Sequence, residues 1–445
     1  MRECMDQYKV TPVDINKIKA GCTFVDVPGS KSITNRAILL AMLAEGRTTI
    51  QNALFSDDSR VLMECVRKLG YPICVDETKR TVTISGDPSK IPKREAKIYV
   101  GSAGTAARFL TALLGISGGK YFLDASEQMR KRPMAPLITS MEELGTVFTY
   151  SGEKEHFPFF LESNGAAKQE VAVNINDSSQ FLSALMMSSV MSNKDFTINI
   201  KGRHGMAYIE ITAAIMKEFG VLLHRYEEGE TIKYIVPGNQ RYHALNYTVE
   251  ADVSAACYFF AMAMLLGTKI CVHDTKLCTK QGDIALLSTF CRMGGKVHEE
   301  PFGIVMEGPK GGKFSGVDVD MSSFSDQALT LAVLAPFADS PTTITGIGHT
   351  RGQESNRIAV ILSELSRLGV RCEELFDGIK IYPGNIHGGV VSTYDDHRVA
   401  MSFALAGLRV PGIIIENPLC CRKTFEGYFE TLEQTADQLL QNYNK

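Results

Sequence analysis

The sequence has little net charge, no cysteine pair in Cys-x-x-Cys spacing, and no apolar run long enough to cross a bilayer. Lys and Arg total 47 against 50 Asp and Glu, a formal net charge of −3. A whole-surface affinity for nucleic acid is therefore not expected, and any anionic ligand must be held by a local cluster of cations. The eleven cysteines are odd in number, and Cys420 and Cys421 are adjacent. Neither a disulfide framework nor a zinc site follows, and a reducing cytoplasm is the expected setting. The longest apolar run, SAACYFFAMAMLLG (254–267), is shorter than the ~20 residues a bilayer requires and reads as a buried helix, so no membrane partner is expected. The opening MRECMDQYKV lacks the apolar core of a signal peptide. A nucleotide P-loop is also missing. In DVPGSKSITNRAILLAMLAEG (Asp26–Gly46), Val25 stands where the first glycine of that motif belongs, and Ser30 precedes Lys31. A helix start with a lysine and an arginine one turn apart still attracts anions.

What the sequence does contain is a repeat. Its 445 residues suffice for two or three domains. Amphipathic segments end in a glycine at Gly70, Gly145, Gly220, Gly294 and Gly369, at intervals of 75, 75, 74 and 75 residues. Such a glycine is a helix stop. An apparent hairpin follows, as in VLLHRYEEGETIKYIVPG. Between these lies a second helix series, apolar almost all round and so expected in the interior. Its members begin at SKSITNRAILLAMLA, GTAARFLTALLG, SSQFLSALMMSSV, DVSAACYFFAMAML, FSDQALTLAVLA and DDHRVAMSFALAG, each followed by a short strand. The pattern predicts an α/β protein of six helix–strand–helix–hairpin units (a period too long for a solenoid), divided three plus three. The last unit lacks a hairpin, and QYKVTPV and CTFVDVP are expected to complete it. The longest irregular junction is PGNQRYHALNYTVEAD. Expected lobes are 1–27 plus 250–445 and 28–249, with a hinge near 27–29 and 247–251 that permits closure around a ligand.

The interior helices begin with polar residues: Lys31, Ser32 and Arg36; Ser102, Thr105 and Arg108; Ser178, Ser179 and Gln180; Asp252; Asp326; and Asp395, Asp396, His397 and Arg398. Capping alone explains Ser178, Asp252 and Asp57. It does not explain Lys31, Arg36, Arg108 and Arg398, cations where the macrodipole disfavours them. An anion bound at these helix starts would. Arg130 and Arg132 in MRKRPMAPL, Arg351, Glu354 and Arg357 in RGQESNRIAVILSEL, and Arg422 and Lys423 in CRKTFEGYF extend the cationic series. A solvated surface face is the plain alternative for Arg130.

These strings, in order from PGSKSITNRAILLA through SSQFLSALM, EADVSAACYF, SDQALTLAVLA, ESNR and TYDDHRVAMSFAL to RKTFEGYF, resemble the 5-enolpyruvylshikimate-3-phosphate synthases. The resemblance covers nearly the whole chain. It implies a two-lobed enolpyruvyl-transferase fold of six βαβαββ units, three per lobe, with buried parallel helices. It also implies transfer of the enolpyruvyl group of phosphoenolpyruvate to the 5-hydroxyl of shikimate 3-phosphate, releasing phosphate through a tetrahedral intermediate, on the route to chorismate and aromatic amino acids. Phosphoenolpyruvate and shikimate 3-phosphate are the implied partners, with no metal or organic cofactor; a monomer is expected because the apolar helices are needed for the core. The positions that match the family's shikimate 3-phosphate contacts are Lys31, Ser32, Arg36, Ser178, Ser179, Gln180, Asp326 and Gln353. Those that match its phosphoenolpyruvate contacts are Lys31, Gly104, Arg132, Gln180, Arg357, Arg398 and Lys423. In this family glyphosate competes at the latter site. Asp326 is the expected base toward the 5-hydroxyl, and Glu354 and Lys31 are the candidate acids toward the methylene carbon, one of them reversing role in the second step. Ser102, Thr105 and His397 stand as supporting residues. For His397 a structural role near a helix start is an equal reading.

Four positions depart from the family pattern. Gln353 replaces a lysine, His349 and Ser102 replace asparagines, and Gly205 stands where a serine contact is usual. Two rival functions stay open: transfer to a UDP-amino sugar, whose enzymes use a loop cysteine and an asparagine after the first lysine, and ligand binding without turnover on the same scaffold.

Overall fold

The computed structural model describes residues 7–229 and 231–441. Most of MRECMDQYKV and Glu230 of the third hairpin lie outside the described residues. The chain forms two compact units, one of Met1–Pro28 with Glu250–Lys445 and one of Gly29–Val249. Each has its own hydrophobic core.

Both units are built from one repeated motif. Glu95–Tyr99 runs parallel to Gly119–Asp124, which pairs antiparallel with Phe159–Ser163, which pairs in turn with Val147–Tyr150. An interior helix, Gly104–Ser117, joins the parallel strands, and an outer helix, Ala135–Glu143, leads into the hairpin. Glu170–Val236 and Asp318–Ile381 repeat the same strand order. The helix-stop glycines 70, 145, 220, 294 and 369 all have φ between +89° and +106°, the left-handed region where an L side chain is strained.

The remaining sheets show how the ends of each unit are closed. Gln7–Lys9 pairs antiparallel with Ile414–Glu416, whose strand lies parallel to Gly389–Val391, and so completes the last sheet. Cys22–Val25 does not join it, against expectation. It lies parallel to Lys269–His273 and supplies the first strand of the fourth repeat. The junction expected to be irregular likewise contains strands, Tyr242–His243 and Asn246–Thr248, both parallel to Ala44–Gln51. The physical reason is shared. A βαβ unit needs a first parallel strand, and where the repeat does not provide one, the connecting chain does.

The interior helices are Lys31–Leu43, Gly104–Ser117, Gln180–Ser189, Val253–Leu266, Ala328–Leu334 and His397–Gly407. All of Val253–Leu266 except Ser254 is buried, as expected of a helix apolar on every side. Truncating a side chain such as Phe259 there would cost about 3–5 kcal/mol.

Candidate active site

In the Gly29–Val249 unit three interior helices are tied together at their N-terminal ends. Asn35 Nδ2 donates to Thr105 Oγ1 at 2.7 Å. Arg108 Nη1 donates to Ser178 Oγ at 3.1 Å and to Gln180 Oε1 at 2.8 Å, and Nη2 donates to the Pro133 carbonyl at 3.2 Å. Its guanidinium lies over the Phe181 ring, 5.0 Å from the centroid. Arg132 arrives from the loop that Pro133 closes. Its Nη1 lies 2.7 Å from where a Cβ on Gly104 would stand, so glycine at the helix start makes room for a guanidinium. The buried Nε atoms of Arg108 and Arg132 have no acceptor. Burial, and then repulsion from Arg132, press the Arg108 pKa well below its ordinary value. Two neighbouring guanidinium groups with unused donors and no carboxylate in ion-pair contact are an anion site by charge and geometry.

Lys31, the first residue of its helix, lies 3.5 Å from Asp58. Arg36 sits deeper, 1% exposed. Its donors go to Thr212 Oγ1, the Ser32 carbonyl, Ser183 Oγ and the Tyr208 carbonyl, and burial lowers its pKa to about 10. It fastens the half-buried Ser32 from behind. Ser102 shares a hydrogen bond with Ser126 Oγ at 2.7 Å. Ser178 is not the cap expected of it: Ser179 stands at the cap position without a side-chain cap bond, and Ser178, one residue earlier, accepts from the Gln180 N–H at 3.3 Å. Ser179 packs on Gly205, where a Cβ would come within 2.6 Å of its Oγ. Asp57 is not a cap. Ser56 caps that helix in a capping box with Ser59, because Asp57 is already in its first turn. Arg130 pairs with Asp124 at 2.8 Å on a half-exposed face, the plain reading of that residue.

In the other unit the acidic and basic residues interlock. Asp326 sits in the 3-10 turn Ser325–Gln327, before the Ala328–Leu334 helix. Its carboxylate accepts from Arg357 Nη1 at 2.9 Å and Arg398 Nη2 at 2.8 Å. Arg357, 3% exposed, also donates through Nε to Asp396 Oδ2 at 3.0 Å. Asp396 caps the His397–Gly407 helix. Burial opposes both charges, but Arg357 and Asp396 sustain each other, so the guanidinium pKa is raised and the carboxyl pKa is held below its usual range. Glu354 bridges His397 Nδ1 at 2.9 Å and Lys423 Nζ at 3.1 Å. His349 Nε2 lies 2.8 Å from Ser325 Oγ. The half-buried Gln353 stands in the loop before the Arg357–Arg367 helix. Asp252 caps its helix, accepting from the Ala255 N–H at 2.9 Å. Arg351 and Arg422 pair with Glu374 and Glu426, and Asp395 accepts from Asn417.

Glu354, Asp396 and His397 bring potential metal-ligand atoms within 4.8 Å of one another, a grouping the sequence spacing does not reveal. Lys423 and Arg357 already match the charge of both carboxylates, so this donor set is a protein ion-pair network rather than a cation site. Asp58 and Asp396, the partners of Lys31 and Arg357, are likewise not recognisable as counter-ions from sequence. Capping signals mark where each stands, but no local pattern reports a partner far along the chain.

Comparison with known proteins identifies a family that the chain matches. The family model "EPSP synthase (3-phosphoshikimate 1-carboxyvinyltransferase)" matches residues 15–432. A 3-phosphoshikimate 1-carboxyvinyltransferase of Trichormus variabilis is 40% identical over 406 residues, covering 91% of this chain and 94% of the relative. One from Nostoc sp. is 40% identical over 414 residues, covering 93% and 96%. The chloroplastic protein of that name from Arabidopsis thaliana is 34% identical, covering 96% and 85%. The solved structure of EPSP synthase from Acinetobacter baumannii superposes with a TM-score of 0.76 at 22% identity, covering 96% of this chain and 98% of that one, a likeness of fold.

Proposed function

The chain belongs to the EPSP synthase family, and we propose that its two sets of cationic helix starts act on one pair of anionic substrates. The reaction is transfer of the enolpyruvyl group of phosphoenolpyruvate to the 5-hydroxyl of shikimate 3-phosphate. Each substrate carries a phosphate of roughly −1.5 to −2 and a carboxylate, and two such anions need a dense cationic lining. Lys31, Ser32, Ser178, Ser179, Gln180 and Asp326 hold shikimate 3-phosphate, with Arg36 bracing Ser32 and Gln353 adding an uncharged donor. Gly104, Arg132, Gln180, Arg357, Arg398 and Lys423 hold phosphoenolpyruvate, with Lys31 between the two.

In the addition step Asp326 accepts the 5-hydroxyl proton as that oxygen bonds to the central carbon of phosphoenolpyruvate. Lys31 or Glu354 delivers a proton to the methylene carbon, giving a tetrahedral intermediate with a methyl group. In the elimination the residue that gave that proton takes one back from the methyl group, the double bond re-forms and the bond to phosphate breaks, inorganic phosphate leaving with the proton that Asp326 took up. The ion pairs of Asp326 matter here. Arg357 and Arg398 satisfy it within the protein. A bound phosphate or carboxylate draws the guanidinium groups to itself and leaves the Asp326 carboxylate to the hydroxyl. We place the protein as a monomer in a reducing cytoplasm.

The strongest support for this reading is the Arg108–Arg132 pair, buried cationic donors with no carboxylate bonded to them. Phosphate release with each acceptor tests it. Phosphoenolpyruvate plus shikimate 3-phosphate is expected to give one phosphate per enolpyruvyl product, and a UDP-amino sugar acceptor none. Turnover with the sugar alone, or binding without turnover, would replace this function.

A further inference from the structure

Beneath Asp326 lies a second carboxylate that the reaction as described does not use. Asp283 is in the short 3-10 helix Gly282–Ala285 and is buried. Its Oδ2 accepts from two donors, the Gln327 side-chain amide at 2.7 Å and the Ser254 hydroxyl. Its backbone carbonyl accepts from Cys257 Sγ. Two residues earlier, Gln281 ties the same segment to the start of the Val253–Leu266 helix. It accepts from the Val253 N–H at 3.0 Å and donates to the Ala251 carbonyl at 2.8 Å. Gln327 is fully buried, and its other amide atom accepts from Thr330 at 3.0 Å. It is the residue directly after Asp326, in the same single turn.

We propose that Asp283 is a positioning residue for Asp326: by anchoring the Gln327 amide it fixes the 3-10 turn that aims the Asp326 carboxylate. The turn has a second anchor, Ser325 against His349, so Asp326 is held through the residues on both sides of it. The three-residue turn has only two short-range backbone bonds, Gln327 N–H to the Phe324 carbonyl and Ala328 N–H to the Ser325 carbonyl, and the side-chain anchors add to these in setting its orientation. Burial pushes the Asp283 pKa up to about 6. Arg398 pulls it down, and Asp326 pushes it further up, so the charge at 326 reaches the anchor as well as the substrate side. The proposal rests on the reading of Asp326 as the base. It adds to that reading a residue that touches no reacting atom.

The test is steady-state kinetics of Asp283→Ala, Asp283→Asn and Asp326→Asn, singly and combined, with phosphoenolpyruvate and shikimate 3-phosphate. Asp283→Ala is expected to lower kcat about 10- to 100-fold, the effect of misplacing a catalytic group by a fraction of an ångström to an ångström, with both KM values within about threefold. Asp283→Asn keeps an oxygen for both donors and is expected to retain kcat within about threefold. In the Asp326→Asn background Asp283→Ala is expected to add less than about threefold, because its effect runs through Asp326. A wild-type kcat in Asp283→Ala, or the same fractional loss in both backgrounds, overturns the positioning role while leaving the base assignment standing. Wild-type turnover in Asp326→Asn overturns both. Should Asp283→Ala not fold by circular dichroism, Gln327→Met removes the same link, and the same two results decide.

Discussion

The Arg132 guanidinium occupies the space that a side chain on Gly104 would fill, with Nη1 2.7 Å from the site of a Cβ. Glycine at this helix start is therefore a requirement of one arginine's position, beyond any need of the backbone to approach a ligand. Gly104→Ala must move Arg132. The expected result is a rise of about 10- to 100-fold in KM for phosphoenolpyruvate, the worth of one charge-assisted hydrogen bond of ~1.5–3 kcal/mol. KM for shikimate 3-phosphate should change far less. Initial-rate kinetics in both substrates checks this, and equal changes in the two KM values would place Arg132 elsewhere.

Lys31 stands at its helix start against Asp58, which is buried. Lys31→Met removes a proposed substrate contact and a candidate acid together. We expect turnover to fall at least about 10²-fold while the circular dichroism spectrum stays that of the wild type. Retained activity would show that the chemistry lies elsewhere.

Gly205 has φ of +65°, and a Cβ there would lie 2.6 Å from Ser179 Oγ. Gly205→Ser, which restores the usual family residue, is expected to cost about 1 kcal/mol of stability from the backbone alone. It is also expected to raise KM for shikimate 3-phosphate through displaced Ser179. Thermal melting and kinetics read the two effects separately, and an unchanged melting temperature would contradict the backbone argument.

Asp396 is fully buried and bonded to Arg357. Its pKa in the folded protein is depressed, because Arg357 outweighs the opposing effect of burial. Its contribution to stability is therefore present above the unfolded carboxyl value of about 3.9 and is lost as pH falls through the lower folded value. Asp396→Ala takes one of its two carboxylate partners from Arg357, which keeps Asp326, and is expected to cost about 3 kcal/mol at pH 7, with a smaller penalty than that at the lowest pH at which the wild type remains folded. Urea unfolding at both pH values measures it. A penalty independent of pH would mean that the ion pair is not its source.

How much of the fold and site is legible in the sequence depends on the range of each interaction. Gly70 and its four counterparts declare themselves locally, because a helix stop with positive φ selects glycine whatever surrounds it. The interior helices declare themselves by having no polar face. Cys22–Val25 joins a different sheet from the expected one, since a strand's own sequence carries no address for its partner. The cations at the helix starts are conspicuous because they violate the dipole preference. Their carboxylate partners are not, because Asp58 and Asp396 also satisfy the ordinary rules for a helix start, which hides the second role. Asp283 sits in GDIA with nothing to set it apart. Its importance comes from Gln327, 44 residues later, and only the fold joins them.

The most direct test of the account is a crystal structure with shikimate 3-phosphate and phosphoenolpyruvate, or an unreactive analogue of the latter, bound together. The account predicts one ligand's anionic groups within hydrogen-bond distance of Ser178, Ser179 and Gln180, the other's on Arg132, Arg357 and Arg398, and Lys31 reaching both. Ligands bound away from these residues, or Arg132 and Arg357 contacting neither, would contradict it.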